Sequence, residues 1–257
     1  MRLTVLGGAA AGPNAGQGCS GYLVDTGATR IVLDLGPGTL PELRRHADFR
    51  ALDAVVISHL HVDHVLDLVA LRFALAYNPV RPAGPVPLWM PPGGRAFLAA
   101  VGAAFDPSGD ADSFFGSVFT VGDYDPNTGL TIGDARVTFA PTVHYVPCWA
   151  IRVEGAGSGA LLYTADTGPD TDFAPVGHDV AVLVADAGQP EPVPDEPVRG
   201  HSTAAEMGSL ATALGVGTLI LSHLWEEIGR DRYATRAGTT FGGRVVVAMP
   251  GTTVEWT

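Results

Sequence analysis

The chain has 257 residues, 46% of them hydrophobic, with 15 basic against 27 acidic side chains and a formal charge of −12. That length and hydrophobicity allow a sizeable core, which excludes a disordered protein and predicts a single domain over residues 1–257. The acidic balance excludes nonspecific attachment to a long nucleic acid, no run is long and apolar enough for a membrane span, and two cysteines behind an opening unlike a signal peptide predict reduced, buried thiols in a cytoplasmic protein.

Short strands separated by glycine turns are predicted over 3–6, 21–24, 31–35 and 55–58. Between the last two, Thr39-Leu40-Pro41-Glu42-Leu43 predicts a short helix with Thr39 as N-cap and an early proline. The β-branched run Ala54-Val55-Val56-Ile57 reads as a buried strand whose end delivers His59-Leu60-His61-Val62-Asp63-His64, four metal-ligating side chains in six residues. In extended backbone, alternate residues face one way, so His59, His61 and Asp63 are expected to converge while His64 points elsewhere. Imidazole with carboxylate is the donor set for zinc, and manganese and iron suit the same atoms.

Residues 67–77 carry Leu68, Leu71 and Leu75 at helical spacing, and Pro79 ends that helix. From 78 to 129 the composition shifts toward Pro, Gly and aromatics, with Trp89, Phe97, Phe105, Phe114, Phe115 and Phe119 around an acidic turn at 106–112. This stretch is compatible with a flap over the site and, ring by ring, with core filling. Strands are predicted again over 136–140, 149–153, 160–164, 180–185 and 218–222, with a hairpin turn at 155–159 and a proline-rich acidic loop at 189–197. A helix over 203–214 is N-capped by Ser202 or Thr203 and has Glu206 in its first turn. His144, Asp166 and His223 each follow one of these β runs, where ligands gather in α/β folds.

With those residues in order, the sequence resembles the metallo-β-lactamase-fold hydrolase superfamily, whose signature is H-x-H-x-D-H followed by separate His, Asp and His ligands. His59-Leu60-His61-Val62-Asp63-His64, His144, Thr164-Ala165-Asp166-Thr167-Gly168 and Ser222-His223-Leu224 fill that pattern across essentially the whole chain. The resemblance implies an α/β (α+β) fold, a four-layered αββα sandwich with the site at one edge of the paired sheets. It also implies two divalent metal ions, expected to be Zn2+ with Mn2+ or Fe2+ as substitutes: His59, His61 and His144 on one, Asp63, His64 and His223 on the other, and Asp166 bridging them.

Arg199-Gly200-His201-Ser202-Thr203-Ala204-Ala205-Glu206 is similar to the H-S-T segment of the ribonuclease Z branch, where the histidine assists phosphate-ester cleavage. His201 is therefore the implied general acid, with Asp63 and Asp186 as further catalytic candidates. In Val184-Ala185-Asp186-Ala187, Asp186 stands where that branch carries the glutamate of H-E-A-T. Only 21 residues separate His144 from Asp166, leaving no room for the arm that grips transfer RNA when inserted there. The opening Arg2-Leu3-Thr4-Val5-Leu6-Gly7 and Pro87-Leu88-Trp89-Met90-Pro91-Pro92-Gly93 look like bacterial cyclic-nucleotide phosphodiesterases. The expected activity is hydrolysis of a small phosphodiester, such as a cyclic nucleotide, by a metal-bridging hydroxide. The expected partner is a small anionic substrate rather than a long nucleic acid or a membrane, with a homodimer left open. Three other readings stand beside it: a lactone or thioester hydrolase on the same metals, a ribonuclease Z-like RNA 3′-processing nuclease, and a metal-stabilised binding protein without activity.

Overall fold

The apolar runs of the first half form β1 (Arg2–Gly7), β2 (Gly21–Asp25), β3 (Arg30–Leu33), β4 (Ala54–Val56), β5 (Val86–Met90) and β6 (Phe119–Asp123). The second half supplies β7 (Leu130–Ile132), β8 (Ala135–Pro141), β9 (Trp149–Glu154), β10 (Ala160–Tyr163), β11 (Val180–Asp186), β12 (Thr218–Ser222), β13 (Arg244–Val247) and β14 (Thr253–Glu255). The computed structural model describes residues 1–106, 111–192 and 198–257. Two seven-stranded sheets result, ordered β14-β1-β2-β3-β4-β5-β6 and β13-β12-β11-β10-β9-β8-β7.

Three apolar clusters fix the layering. Leu3, Val5, Tyr22, Val24 and Ile31 of the first sheet pack with Val137, Ile151, Leu161, Val182 and Ile220 of the second, so the inner faces share one core. The opposite face of the first sheet is covered by α1 (Thr39–His46), α3 (Asp67–Tyr77), α4 (Gly94–Phe105) and α5 (Ala111–Gly116), through Leu43, Leu71, Leu98 and Phe115. The opposite face of the second is covered by α6 (Ala204–Leu214) and α7 (Arg230–Ala237), through Met207, Ala211, Tyr233 and Ala237. Strands buried on both faces carry continuous apolar runs, as Val180–Asp186 does. The architecture is the αββα sandwich expected from the sequence.

Strand direction is what positions the site. β3 to β6 run parallel. β8 and β10 are both antiparallel to β9 and therefore point the same way, and β10, β11 and β12 are parallel. Their carboxyl ends consequently lie along common edges, where ligands collect in such sheets.

One sequence expectation changes and two alternatives left open by the sequence are resolved. Thr39 is not the cap of α1: Gly38 is, with φ 86° and no side-chain cap, while the buried Thr39 hydroxyl donates to the Gly36 carbonyl at 2.7 Å. Thr203 rather than Ser202 caps α6, in a full capping box with Glu206. Of the two readings of residues 78–129, core filling fits the described ones: β5 and β6 lengthen the first sheet, α4 and α5 pack on it, and Phe114, Phe115 and Phe119 are buried. The acidic turn expected at 106–112 and the proline-rich loop at 189–197 lie partly outside the described residues. Among the described residues no helix is long and apolar enough to cross a membrane.

Cys19 and Cys148 are buried free thiols. Burial, reinforced by the Asp63 carboxylate, pushes the Cys19 thiol up to about 12, and burial likewise raises Cys148. Because the thiolate is the reactive form, neither cysteine should react with a thiol reagent at pH 8 in the native protein, and both should react in denaturant. Rapid native labelling of either, followed by absorbance, would contradict this packing.

Candidate metal centre

Each site residue leaves the end of a strand or the turn after it. Asp34 follows β3, His59 follows β4, His144 follows β8, Asp166 follows β10, Asp186 closes β11 and His223 follows β12. The metal-motif loop does not stay extended. His61 caps a one-turn helix, α2 (Val62–Val65), with ψ 149°, and the turn carries Asp63 away from His59 and His61. The structure gathers His59, His61, His144 and Asp166 in one group and Asp63, His64, Asp166 and His223 in another, each with its ligand atoms within 4.8 Å of one another. The extended-backbone convergence of His59, His61 and Asp63 is therefore corrected: α2 divides them.

Asp166 reaches both groups. Its Oδ2 lies 3.6 Å from His59 Nε2, 3.6 Å from His144 Nε2 and 3.4 Å from His223 Nε2, and its Oδ1 lies 3.2 Å from His64 Nε2. Asp63 Oδ2 faces His64 Nε2 at 3.4 Å and His223 Nε2 at 3.2 Å, and accepts from the Ala11 amide at 3.0 Å. His61 Nδ1 and His144 Nε2 approach to 3.0 Å.

The surrounding hydrogen bonds decide which ring nitrogens face the centre. Ser58 Oγ donates its single proton to Asp34 Oδ2 at 2.7 Å, so it accepts from His59 Nδ1 at 3.0 Å. His64 Nδ1 donates to Asp34 Oδ2 at 2.7 Å, and His144 Nδ1 to the Gly200 carbonyl at 2.8 Å. Whenever one of these three rings is neutral, Nε2 is thus its lone-pair nitrogen. The Nε2 atoms of His59 and His64 are buried without a hydrogen-bond partner, as atoms reserved for a cation are. Five imidazoles and two carboxylates arranged this way fit two divalent ions of the zinc, manganese or iron type.

Charge differs between the two groups. Burial holds the His59, His61 and His144 imidazoles below their ordinary range against the pull of Asp166, keeping them neutral as ligands must be. Burial also opposes charge on His64 and His223, but Asp166 with Asp34 raises His64, and Asp166 with Asp186 and Asp63 raises His223. Those imidazoles in turn hold Asp63 and Asp166 well below the carboxylate range despite burial. The second group would therefore release protons on taking up a cation.

His201 stands beside both groups. Its ring stacks on His223 at 4.8 Å and 13°, and meets His144 edge-on at 5.0 Å. Asp186 Oδ2 accepts from His201 Nδ1 at 2.9 Å and from the Thr167 amide at 2.9 Å, while Oδ1 accepts from the Gly188 amide at 2.7 Å. Burial opposes charge on His201, yet the facing Asp186 carboxylate raises its affinity for a proton above the ordinary imidazole value. Every sequence-derived candidate is thus at one edge of the sandwich. His46, paired with Glu42 on α1, and His178, beside Glu154, lie elsewhere. Asp34 was not singled out from the sequence, where it falls inside the strand predicted over 31–35. Fully buried with φ 57°, it anchors His64, Ser58 and, through an acceptor bond of 2.8 Å, Tyr163.

The αββα layers and the paired His/Asp groups define a metallo-hydrolase with residues suited to a dimetal site. The Beta-lactamase superfamily domain matches residues 23–224, and the chain belongs to that family. It is 30% identical over 259 residues to the probable metallo-hydrolase YhfI of Bacillus subtilis, covering 98% of each chain. The crystal structure of YhfI superposes with a TM-score of 0.84 at 26% identity over 99% of both chains. Ribonuclease Z of Mycobacterium bovis is 27% identical over 267 residues, 96% of this chain and 95% of that one. A diphosphatase from the PhnP family shares the fold at a TM-score of 0.72 and 18% identity, over 100% of this chain and 98% of that one.

Two substitutions separate direct ligation from support. Asp166→Ala should leave the purified protein with markedly less bound metal and no hydrolytic turnover. Asp34→Ala should weaken metal affinity by about 10-fold to 100-fold, the usual effect of removing a group behind a ligand. Both are read by elemental analysis and chelator competition, and full metal retention by Asp166→Ala would remove it from the centre.

Proposed function

We propose that the chain is a phosphodiesterase acting on a small phosphodiester such as a cyclic nucleotide. The observation that carries this reading is the His201–Asp186 pair, at 2.9 Å, set against His144 and His223. Hydrolysis of a phosphodiester expels an alkoxide, which needs a proton, whereas a thioester expels a thiolate that is stable near neutral pH. Asp186 only accepts hydrogen bonds, so it fixes a proton on His201 Nδ1 and leaves Nε2 as the position from which a second proton can be passed to the leaving oxygen. When bound, two divalent ions supply positive charge toward the phosphoryl oxygens and a water whose pKa falls from about 15.7 to about 7.

The remaining residues set binding and orientation. Four buried carboxylates, Asp34, Asp63, Asp166 and Asp186, balance the charge of two divalent cations, so a monoanionic diester would be held by direct contact with the cations rather than by a net positive pocket. The overall charge of −12 supports a small substrate over a long polyanion. The named relatives support phosphorus chemistry: ribonuclease Z cleaves RNA, and the PhnP-family neighbour is a diphosphatase. Compactness alone does not distinguish this chain from ribonuclease Z, because the Mycobacterium protein is matched over 95% of its length.

A metal-replete preparation offered 3′,5′-cyclic AMP, a homoserine lactone and a glutathione thioester should turn over the phosphodiester fastest. Preference for the lactone or thioester would replace this reading, and inertness toward all three would favour a binding role. His201→Ala should keep its metal and lose roughly 10²-fold to 10⁴-fold in kcat, the size of a general-acid contribution. Unchanged kcat in that variant would remove His201 from the chemistry.

A further inference from the structure

Tyr145 directly follows the ligand His144 in the turn between β8 and β9, and it is 55% exposed although it sits at the metal centre. Its ring centroid is 5.2 Å from that of His144 and 5.7 Å from that of His201. One side of the ring is pressed on the backbone of Gly200, where a Cβ would fall 2.5 Å from Tyr145 Cε2. Any larger residue at 200 would push the ring out of this seat. The same glycine accepts the His144 Nδ1 hydrogen bond at 2.8 Å, so the ring and the ligand are held by one residue.

We propose that Tyr145 is a stacking shelf for the base of a nucleotide, which makes the substrate of the proposed phosphodiesterase a nucleotide phosphodiester rather than an aliphatic one. This rests on the phosphodiesterase reading and specifies its leaving side. An aromatic ring seated on backbone loses little freedom when a second ring stacks on it, and it offers a face that any base can use. The ring lies beside His201, so a base on Tyr145 puts the sugar oxygen of the same nucleotide next to the group that protonates it. A tyrosine exposed by chance on the surface would need neither the glycine seat nor the neighbouring acid.

The test compares binding of 5′-AMP with binding of ribose 5-phosphate to the metal-replete protein by calorimetry, since the two probes differ only in the base. The native protein should prefer 5′-AMP by about 10-fold or more, the size of one base stack, and Tyr145→Ala should bring the two ligands within about threefold while keeping its metal and its affinity for ribose 5-phosphate. Tyr145→Phe should retain the preference, because the face and not the hydroxyl carries it. Equal binding of the two probes by the native protein, failure of both to bind, persistence of the preference in Tyr145→Ala, or an equal loss for both probes in that variant would each overturn the shelf. Failure of the phosphodiesterase reading shows up separately, as absent cyclic AMP turnover by the native enzyme, whereas the binding comparison requires no turnover.

Discussion

The site is organised around a carboxylate that has almost no access to water. Asp166 is 2% exposed, in the turn after β10, and a charge in that position is costly unless it is paired on several sides. His59, His64, His144 and His223 approach it from both sheets. These imidazoles are tied to the scaffold in turn, three of them through Ser58, Asp34 and the Gly200 carbonyl. Asp34, from the first sheet, accepts from Tyr163 of the second, and Tyr22 of the first bonds Ser222 of the second. The network that orients the ligands thus also fastens the edges of the two sheets to each other, and metal affinity and stability of this edge become parts of one property.

Backbone conformation near the centre follows from the same demand. Asp34, Ala165 and His223 all have positive φ, at 57°, 52° and 57°, and each lies just beyond a strand end. A non-glycine residue in the left-handed region is strained, and such strain persists where surrounding contacts over-determine the conformation. Here the left-handed step turns the chain out of its strand and aims a side chain along the sheet edge. Glycine appears where two backbones must nearly touch: a Cβ on Gly36 would meet the Asp63 carbonyl at 1.9 Å, so the segment after Asp34 and the helical turn carrying Asp63 and His64 close on each other.

Much of this was legible in the sequence because two periodicities announce themselves. The apolar runs before His59, Asp166 and His223 marked strand ends, and α3 emerged with its bounds intact from the spacing of Leu68, Leu71 and Leu75. The division of the hexapeptide was not legible from backbone periodicity, since a single helical turn over Val62–Val65 is too short to leave a pattern. Asp34 stayed hidden because it falls inside the strand predicted over 31–35, and its acceptor role depends on partners 24, 30 and 129 residues away. The aromatic stretch 78–129 left two readings open. Prolines and glycines broke its periodicity, yet β5 and β6 pair with the first sheet through contacts that appear only once β4 is in place.

Asp186 shows how strand geometry can substitute for side-chain length. It stands where the resemblance to the ribonuclease Z branch implies a longer glutamate, but it is the last residue of β11, and the strand end itself brings its carboxylate to 2.9 Å from His201. Bonds from the Thr167 and Gly188 amides leave it little freedom to move. Its Oδ1 also faces His223 Nδ1 at 3.4 Å, behind the nitrogen that points to Asp63 and Asp166. One immobile carboxylate therefore orients both a ligand ring and the ring beside it, and the 13° stacking of His201 on His223 is the geometric result. A lengthened side chain at 186 would have to shift one of these partners to keep the other. The shorter residue thus fits this edge, and it ties the position of the His201 ring to that of His223.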